Sequence, residues 1–193
     1  MIKKSHFQER GLILGGFLSN CRFNKIAKYI PKNSKVLDLG CGYNGFFLIK
    51  NRNRILSGIG VDISVNENVT DSKIKLVKSD LNQNLPFNTA SFDLVVSLAN
   101  LEHLENPQLN SKEIFRVLKP GGILLLTTPS TYAKPVLEFL SFKLKIINED
   151  EIRDHKNYFN KERLVDILKK SGFSFVKHRY FQLFMNNFIY ARK

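Results

Sequence analysis

From residue 36 to residue 127 of this 193-residue chain, short and nearly continuous apolar runs alternate with mixed apolar and polar stretches. Val36 to Leu39, Ser57 to Val61, Ile74 to Val77, Ser91 to Ser97 and Gly122 to Thr127 predict strands, the last introduced by a Pro-Gly-Gly turn. Phe46 to Arg52 and Gln108 to Leu118 predict helices between them. Strands that are apolar along their length and separated by helical segments mean a parallel sheet covered on both faces. A helix is predicted ahead of them over residues 18–30, with Leu18, Cys21, Ile26 and Ile30 at helical spacing and Pro31 closing it. In the last third, Lys161 to Lys170 reads as a helix with Asn160 as N-cap and Gly172 as its stop. Phe173 to Lys177 and Leu183 to Tyr190 then read as two strands, a hairpin joined around Arg179 to Gln182.

A chain of this length builds one well-buried core and is short for two, so one domain over residues 1–193 is expected. Its charge is uneven. Residues 1–35 carry eight basic and one acidic residue, residues 36–129 nine of each, and residues 130–193 thirteen basic and seven acidic, which together give the net +13. A neutral centre with basic flanks can steer an anionic partner, whether nucleic acid, an anionic membrane surface or an acidic acceptor, and is equally an ordinary solvated surface. Cys21 and Cys41 are the two cysteines, without metal-type spacing, so neither a disulfide framework nor a cysteine zinc site is suggested. The basic start of the chain leads into a brief apolar stretch broken by Gly15 and Gly16, with no cleavage pattern after it, which reads as cytoplasmic.

The chemistry concentrates in VLDLGCGYNG, Val36 to Gly45, where a strand enters a glycine-rich turn, and in GVDIS, Gly60 to Ser64, roughly 20 residues further on. Glycines let the backbone turn sharply and approach a ligand, the following helix presents free N–H groups, and the later carboxylate accepts hydrogen bonds from a ribose diol. A dinucleotide site shares this outline. Asp38, two residues before Gly40, argues against it, because a carboxylate there would face pyrophosphate oxygens.

Residues 35–193 resemble the class I S-adenosylmethionine-dependent methyltransferases, in particular the small bacterial branch that modifies glycans, lipids and quinones. Four blocks carry the resemblance: VLDLGCG at 36–42, GVDIS at 60–64, the stretch from Ser79 to Leu104 with FDLVVSLANLEHL, and EIFRVLKPGGILLLTTPS at 113–130. It implies an α/β Rossmann-like three-layer sandwich around a mostly parallel seven-stranded sheet, order 3-2-1-4-5-7-6 with strand 7 antiparallel. Residues 1–34 would form an N-terminal helical cap and residues 131–159 a lid or acceptor-side insertion.

The resemblance also implies roles. S-adenosyl-L-methionine would be the cofactor, with Asp38 orienting its amino group while Gly40, Cys41 and Gly42 form the loop that approaches its methionine part. The family's third glycine falls at position 44, where this chain has Asn44 beside Gly45; Asn tolerates left-handed backbone. Asp62 matches the ribose-binding acid, with a helix cap as its plainer alternative, and Ile63 would pack on the adenine. Asp80 matches the acid that accepts from the adenine amine, with Leu81 beside it; a turn residue is the alternative. Ser97 and Leu98 would lie close to the transferable methyl.

Methyl transfer to a hydroxyl needs in-line alignment and loss of a proton. His103, next to Glu102 past strand 4, and His155, in the segment before the last helix, are the candidates for base or acceptor contact. His6 belongs to a segment that can close over the cofactor, and His178 reads as structural; no metal is predicted from the spacing. Pro135 to Ile147 carries more apolar residues than one helix face needs, which suits a lid, a dimer surface or an interfacial anchor, with core packing as the plain alternative. The expected function is therefore O-methylation of a small molecule, sugar or lipid-linked glycan, in the cytoplasm or at the inner face of the membrane. Two other readings stay open: an RNA methyltransferase, favoured by charge but lacking an RNA-binding pattern or an NPPY-type motif after strand 4, and a cofactor-binding partner subunit without catalysis.

Overall fold

The computed structural model describes residues 6–145 and 149–193, with side chains left aside for residues 6–15, 17 and 151. Met1 to Ser5 and the Ile146 and Ile147 end of the apolar segment lie outside the described residues, as does the side chain of His6. The elements run α1 (His6–Ala27), β1 (Lys35–Leu39), α2 (Phe46–Asn51), β2 (Ser57–Asp62), β3 (Ile74–Lys78), β4 (Phe92–Leu98), α3 (Pro107–Val117), β5 (Leu118–Pro129), α4 (Ala133–Glu138), α5 (Glu149–Arg153), α6 (Lys161–Lys170), β6 (Phe175–Phe181) and β7 (Asn186–Arg192). A 3-10 turn, Leu101–His103, follows β4, and a π-helical turn, Phe139–Lys143, follows α4.

The seven strands form one sheet in the order β3-β2-β1-β4-β5-β7-β6. β1 pairs in parallel with β2 and with β4, while β7 runs antiparallel to both β5 and β6. The expected α/β sandwich and strand order are therefore observed. Alternation along the strands sorts the core into two layers. Leu37, Leu39, Val95, Leu124 and Leu126 pack with Ile114 and Val117 of α3 and Leu164 and Leu168 of α6 on one face. Val36, Leu94, Val96 and Leu125 pack with Ile26 of α1, Ile30, and Phe47 and Leu48 of α2 on the other.

Three boundaries differ from those expected. α1 begins far upstream of residue 18, runs through Gly15 and Gly16, and stops at Ala27. β5 begins at Leu118, because Pro120, Gly121 and Gly122 form an irregularity inside the strand: Phe92 pairs with Leu118 and Leu94 with Ile123. The hairpin turn falls at Gln182 to Met185, where Gln182, Leu183 and Phe184 all adopt positive φ, 50°, 53° and 66°. The Ser130 hydroxyl donates to the Phe184 carbonyl (2.6 Å) and the Ser130 N–H to Met185 (2.9 Å), so the end of β5 holds a backbone path that non-glycine residues seldom take. Nothing in the local pattern of Arg179 to Gln182 encodes that tertiary tie.

Two of the local signals hold. The Asn160 side chain accepts from the Arg163 N–H (2.9 Å) at the start of α6, and Gly172 after it adopts φ +111°. α4 and the π turn do not supply core as a whole: Ala133 and Ser141 are buried, but Val136, Phe139, Phe142 and Leu144 are exposed. Among the described residues no helix is long and apolar enough to cross a membrane.

Candidate active site

At the carboxyl end of β1 the chain leaves the sheet at Gly40 and doubles back across β2. The N–H groups of Gly40 and Cys41 both donate to the Val61 carbonyl (2.9 and 3.2 Å), and that of Gly42 donates to Asp62 Oδ2 (2.9 Å). Gly40 takes φ +74°, and a Cβ there would stand 2.7 Å from the Cβ of Asn100, so the glycine is what lets the loop after β4 close against the loop after β1. Gly42 takes φ +68° and faces open space. The left-handed residue that starts α2 is Gly45 (φ 60°), not Asn44, whose side chain instead accepts from Asn66 Nδ2 (3.0 Å). The expected tolerance of Asn44 for left-handed backbone is therefore not what the loop uses.

Asp38 projects from the middle of β1 and is 2% exposed. Its Oδ2 is buried without a hydrogen-bond partner among the described residues, and burial, with Asp62 nearby, pushes its carboxyl from 3.8 up to about 8. A buried acceptor in that state wants a cationic donor. Cys41 is a spacer: its Sγ would stand 2.8 Å from a Cβ placed at Gly60, and burial first, then Asp38 and Asp62, raise its thiol to about 12, which leaves no nucleophile.

Asp62 closes β2 with Oδ2 on the Gly42 N–H and Oδ1 on the Ser64 N–H (3.3 Å). Ile63 is 68% exposed beside it, an apolar surface with nothing packed over it to hide it from solvent. Asp80 forms a turn of its own, Oδ1 accepting from the Asn82 N–H (2.9 Å) and Nδ2 (3.1 Å), while Leu81 is buried beneath. The turn is tied onward: Asn82 Oδ1 accepts from the Glu105 N–H (2.8 Å). Ser97 is fully buried, its hydroxyl in reach of Asn100 Nδ2 (3.4 Å), so Asn100 stands between Ser97 and the glycine loop. Ala99 between them carries φ +51°, backbone strain of the kind that surrounding structure must hold in place.

Past Asn100 the 3-10 turn presents Glu102 and His103. Glu102 is 1% exposed; its Oε2 accepts from the Thr128 hydroxyl (2.9 Å), and its carbonyl accepts from the Lys156 and Asn157 N–H groups (2.9 and 3.0 Å). Those two bonds fasten the segment before α6 onto the turn, and they put the His155 ring 4.8 Å from the His103 ring, edge to face. Each imidazole has a fixed partner: His103 Nδ1 sits 2.8 Å from Asp154 Oδ2, and His155 Nδ1 sits 3.1 Å from the Tyr158 hydroxyl. Burial, with His103 nearby, lowers His155 to about 4 and keeps it neutral, whereas burial raises the Glu102 carboxyl. Arg22 of α1 acts electrostatically on both Glu102 and His155, which brings the N-terminal helix to this edge of the sheet.

His178 lies elsewhere, on β6, its Nε2 2.8 Å from Asn187 Oδ1. A basic depression bounded by Lys32, Lys50 and Arg54 sits at the amino end of β1, the opposite end from the glycine loop. The site residues are thus at the carboxyl edge, in two groups: Asp38, Gly40, Cys41, Gly42, Asp62, Ile63, Asp80 and Leu81 along β1 to β3, and His103 and His155 over β4 and β5. Asn100, Thr128, Asp154 and Tyr158 join them without having been singled out in the sequence. Asn100 and Thr128 left a signal, in the ANLEHL run directly after the fourth strand and in the TTPS end of the 113–130 block.

A profile described as the methyltransferase domain matches residues 20–178. The chain belongs to this methyltransferase family. It is 30% identical over 176 residues to the demethylmenaquinone methyltransferase of Staphylococcus saprophyticus, covering 79% of this chain and 75% of that protein. It is 30% identical over 161 residues to the mitochondrial ubiquinone biosynthesis O-methyltransferase of Rattus norvegicus, covering 72% of this chain but 44% of that one. In fold it matches a chain of the Haloferax volcanii complex between the Trm112 methyltransferase activator and a methyltransferase, with a TM-score of 0.74, 17% identity and 98% of each chain covered.

The methyltransferase fold makes S-adenosylmethionine the cofactor, and the residues present fit it. The orphaned Asp38 oxygen would hold its ammonium, the open space at Gly42 would let its methionine part approach the backbone, Asp62 would accept from its ribose hydroxyls, and exposed Ile63 would offer an apolar surface to its base. When bound, the cofactor supplies an electrophilic methyl on a sulfonium.

Proposed function

We propose that this methyltransferase transfers the methyl of S-adenosylmethionine to a hydroxyl of a lipid-linked or other small acceptor, a glycan, polyprenyl or quinone-type molecule. The observation that carries the reading is the imidazole pair over β4 and β5, contiguous with the cofactor loop through Asn100 and Gly40. An incoming hydroxyl meets His103 and His155 where the methyl is delivered, and it loses its proton beside the Glu102–His103–His155 cluster. Asp38, Gly40, Gly42, Asp62, Ile63 and Asp80 hold the cofactor; Cys41, Leu81 and Ser97 support that loop from within. Holding the oxygen in line with the carbon–sulfur bond supplies much of the acceleration.

The acceptor class is argued from the surface. Tyr132, Phe139, Phe142, Leu144 and Phe184 are exposed on the acceptor side, with Tyr132 and Phe184 in ring contact (6.5 Å) and Lys134, Lys143 and Lys145 among them. Aromatic side chains next to lysines suit an anionic membrane surface, so residues 131–159 would be the acceptor-side insertion and the protein would work in the cytoplasm against the inner face of the membrane. The names of two relatives, a ubiquinone biosynthesis O-methyltransferase and a demethylmenaquinone methyltransferase, refer to quinones, which supports the lipid-linked class.

The test is transfer of radiolabelled methyl from S-adenosylmethionine into host extract separated into lipid, small-molecule, protein and RNA fractions, with Asp62→Ala as control. Label in a lipid or small-molecule fraction that vanishes with the variant supports the reading; label confined to RNA overturns it and makes the basic flanks the acceptor surface.

A further inference from the structure

Glu102, His103 and His155 each offer one ligand atom, and these atoms lie within 4.8 Å of one another. The sequence hides the cluster, since Asp154, the neighbour of His155, is 51 positions from His103. We propose that Glu102, His103 and His155 bind a divalent transition-metal ion of the zinc class, which takes the acceptor oxygen as a further ligand. The role given to the metal rests on the O-methylation reading above; the binding itself does not.

Three features of the cluster exceed what a chance meeting of polar groups supplies. First, the donor set of two imidazoles and one carboxylate is one that zinc uses when it keeps a coordination position open for water or substrate. Second, every member has an outer partner of the kind that fixes a metal ligand. Asp154 engages Nδ1 of His103, the Tyr158 hydroxyl engages Nδ1 of His155, and the Thr128 hydroxyl engages one oxygen of Glu102. With both Nδ1 atoms engaged by those partners, Nε2 of each ring would be the nitrogen left for the metal, together with a Glu102 oxygen. Third, the members come from rigid positions: the turn after β4 and a segment pinned to it by two backbone bonds to the Glu102 carbonyl.

The charges around the cluster are mixed. Arg22 acts on Glu102 and His155, while Asp154 and Glu102 are acidic. Imidazole ligands favour zinc over magnesium, which prefers oxygen donors. In the reaction, the metal polarises the acceptor hydroxyl and its proton passes to solvent. The oxygen–methyl bond then forms as the sulfur–methyl bond breaks, its electron pair staying on sulfur, and the products are the methyl ether and S-adenosylhomocysteine.

The experiment is calorimetric titration of the chelator-treated protein with Zn²⁺ and separately with Mg²⁺, checked by the visible spectrum of the Co²⁺ form. One Zn²⁺ per chain, bound more tightly than Mg²⁺ and lost in His155→Ala, is expected. Asp154→Asn and Tyr158→Phe should weaken it by about 10- to 100-fold, His178→Ala should leave it unchanged, and S-adenosylhomocysteine affinity, unchanged in all four variants, reports that each is folded. Absence of Zn²⁺ binding, or binding that His155→Ala leaves intact, overturns the site. No acceptor enters this titration, so metal binding without O-methyl transfer would sink the functional reading and keep the site, and the reverse result would do the opposite.

Discussion

Along the carboxyl edge of the sheet, the β1–β3 side works through backbone and strand-end acids, whereas the β4–β5 side works through rings delivered by segments far apart in the chain. On the first side each functional group is within a few residues of a strand it terminates: Asp38 in β1, Asp62 at the end of β2, Asp80 two residues past β3. On the second side His103 reaches His155 only because the Glu102 carbonyl accepts from Lys156 and Asn157. The first group is set by local geometry at strand ends and the second by packing between loops, which is the division expected if the first holds a family-wide cofactor and the second, as proposed above, meets an acceptor.

The most severe break in that division is predicted for His155→Ala. With a saturating acceptor, turnover should fall by about 100-fold or more, while S-adenosylhomocysteine binds as before; a variant that turns over at the parent rate would remove His155 from the chemistry.

On the cofactor side, Asp38 sets a pH dependence. Its carboxyl stays protonated up to about 8 in the free protein, and the cofactor's ammonium prefers the carboxylate, so binding expels a proton at lower pH. Affinity should therefore rise roughly tenfold per pH unit between pH 6 and pH 7.5. Calorimetry in buffers of different ionisation enthalpy would register the released proton; an affinity flat across this window would contradict it. The same raised value has the opposite sign for stability. The free fold binds this proton more tightly than the unfolded chain, so Asp38's contribution is present at low pH and is lost as pH rises from about 4 to about 8.

Gly40→Ala sharpens the boundary between the halves, since its Cβ would meet Asn100 at 2.7 Å on a backbone at φ +74°. A stability loss of about 2 kcal/mol in denaturant titration is expected, with cofactor affinity and turnover falling together. Gly42→Ala has the same backbone strain but open space, so it should cost less stability and act mainly on the cofactor.

The smallest effect on the chemistry should come from Phe139→Ser with Phe142→Ser. Both rings are exposed, so stability and cofactor affinity should change little, while sedimentation with anionic phospholipid vesicles drops several-fold. Unchanged sedimentation would take the membrane surface out of the account.

How much the chain announces about itself follows the same line. Strands β1 to β4 were legible because an apolar run bounded by glycine or polar residues is a local pattern, and Asn160 and Gly172 marked α6 by their own backbone preferences. The glycine loop was legible down to Gly40 and Gly42, but not in its use of Gly45, since Asn44 is fixed by a contact with Asn66 from beyond β2. The hairpin turn was misplaced because Ser130, far upstream, fixes it. For the same reason Glu102 could be seen only as the neighbour of His103, and its burial against Thr128 and its meeting with His155 could not be seen at all.

The measurement that bears most directly on the division of the site is the affinity for S-adenosylmethionine of Asp62→Ala and His155→Ala, determined side by side with the parent protein. Removing Asp62 takes away the acceptor of the Gly42 N–H and the acid proposed for the ribose hydroxyls, and should weaken binding by about 100-fold, whereas removing His155 should leave affinity within twofold. Equal losses in both variants would contradict the account, because the two groups of residues would then form a single cofactor site with no separate place for an acceptor.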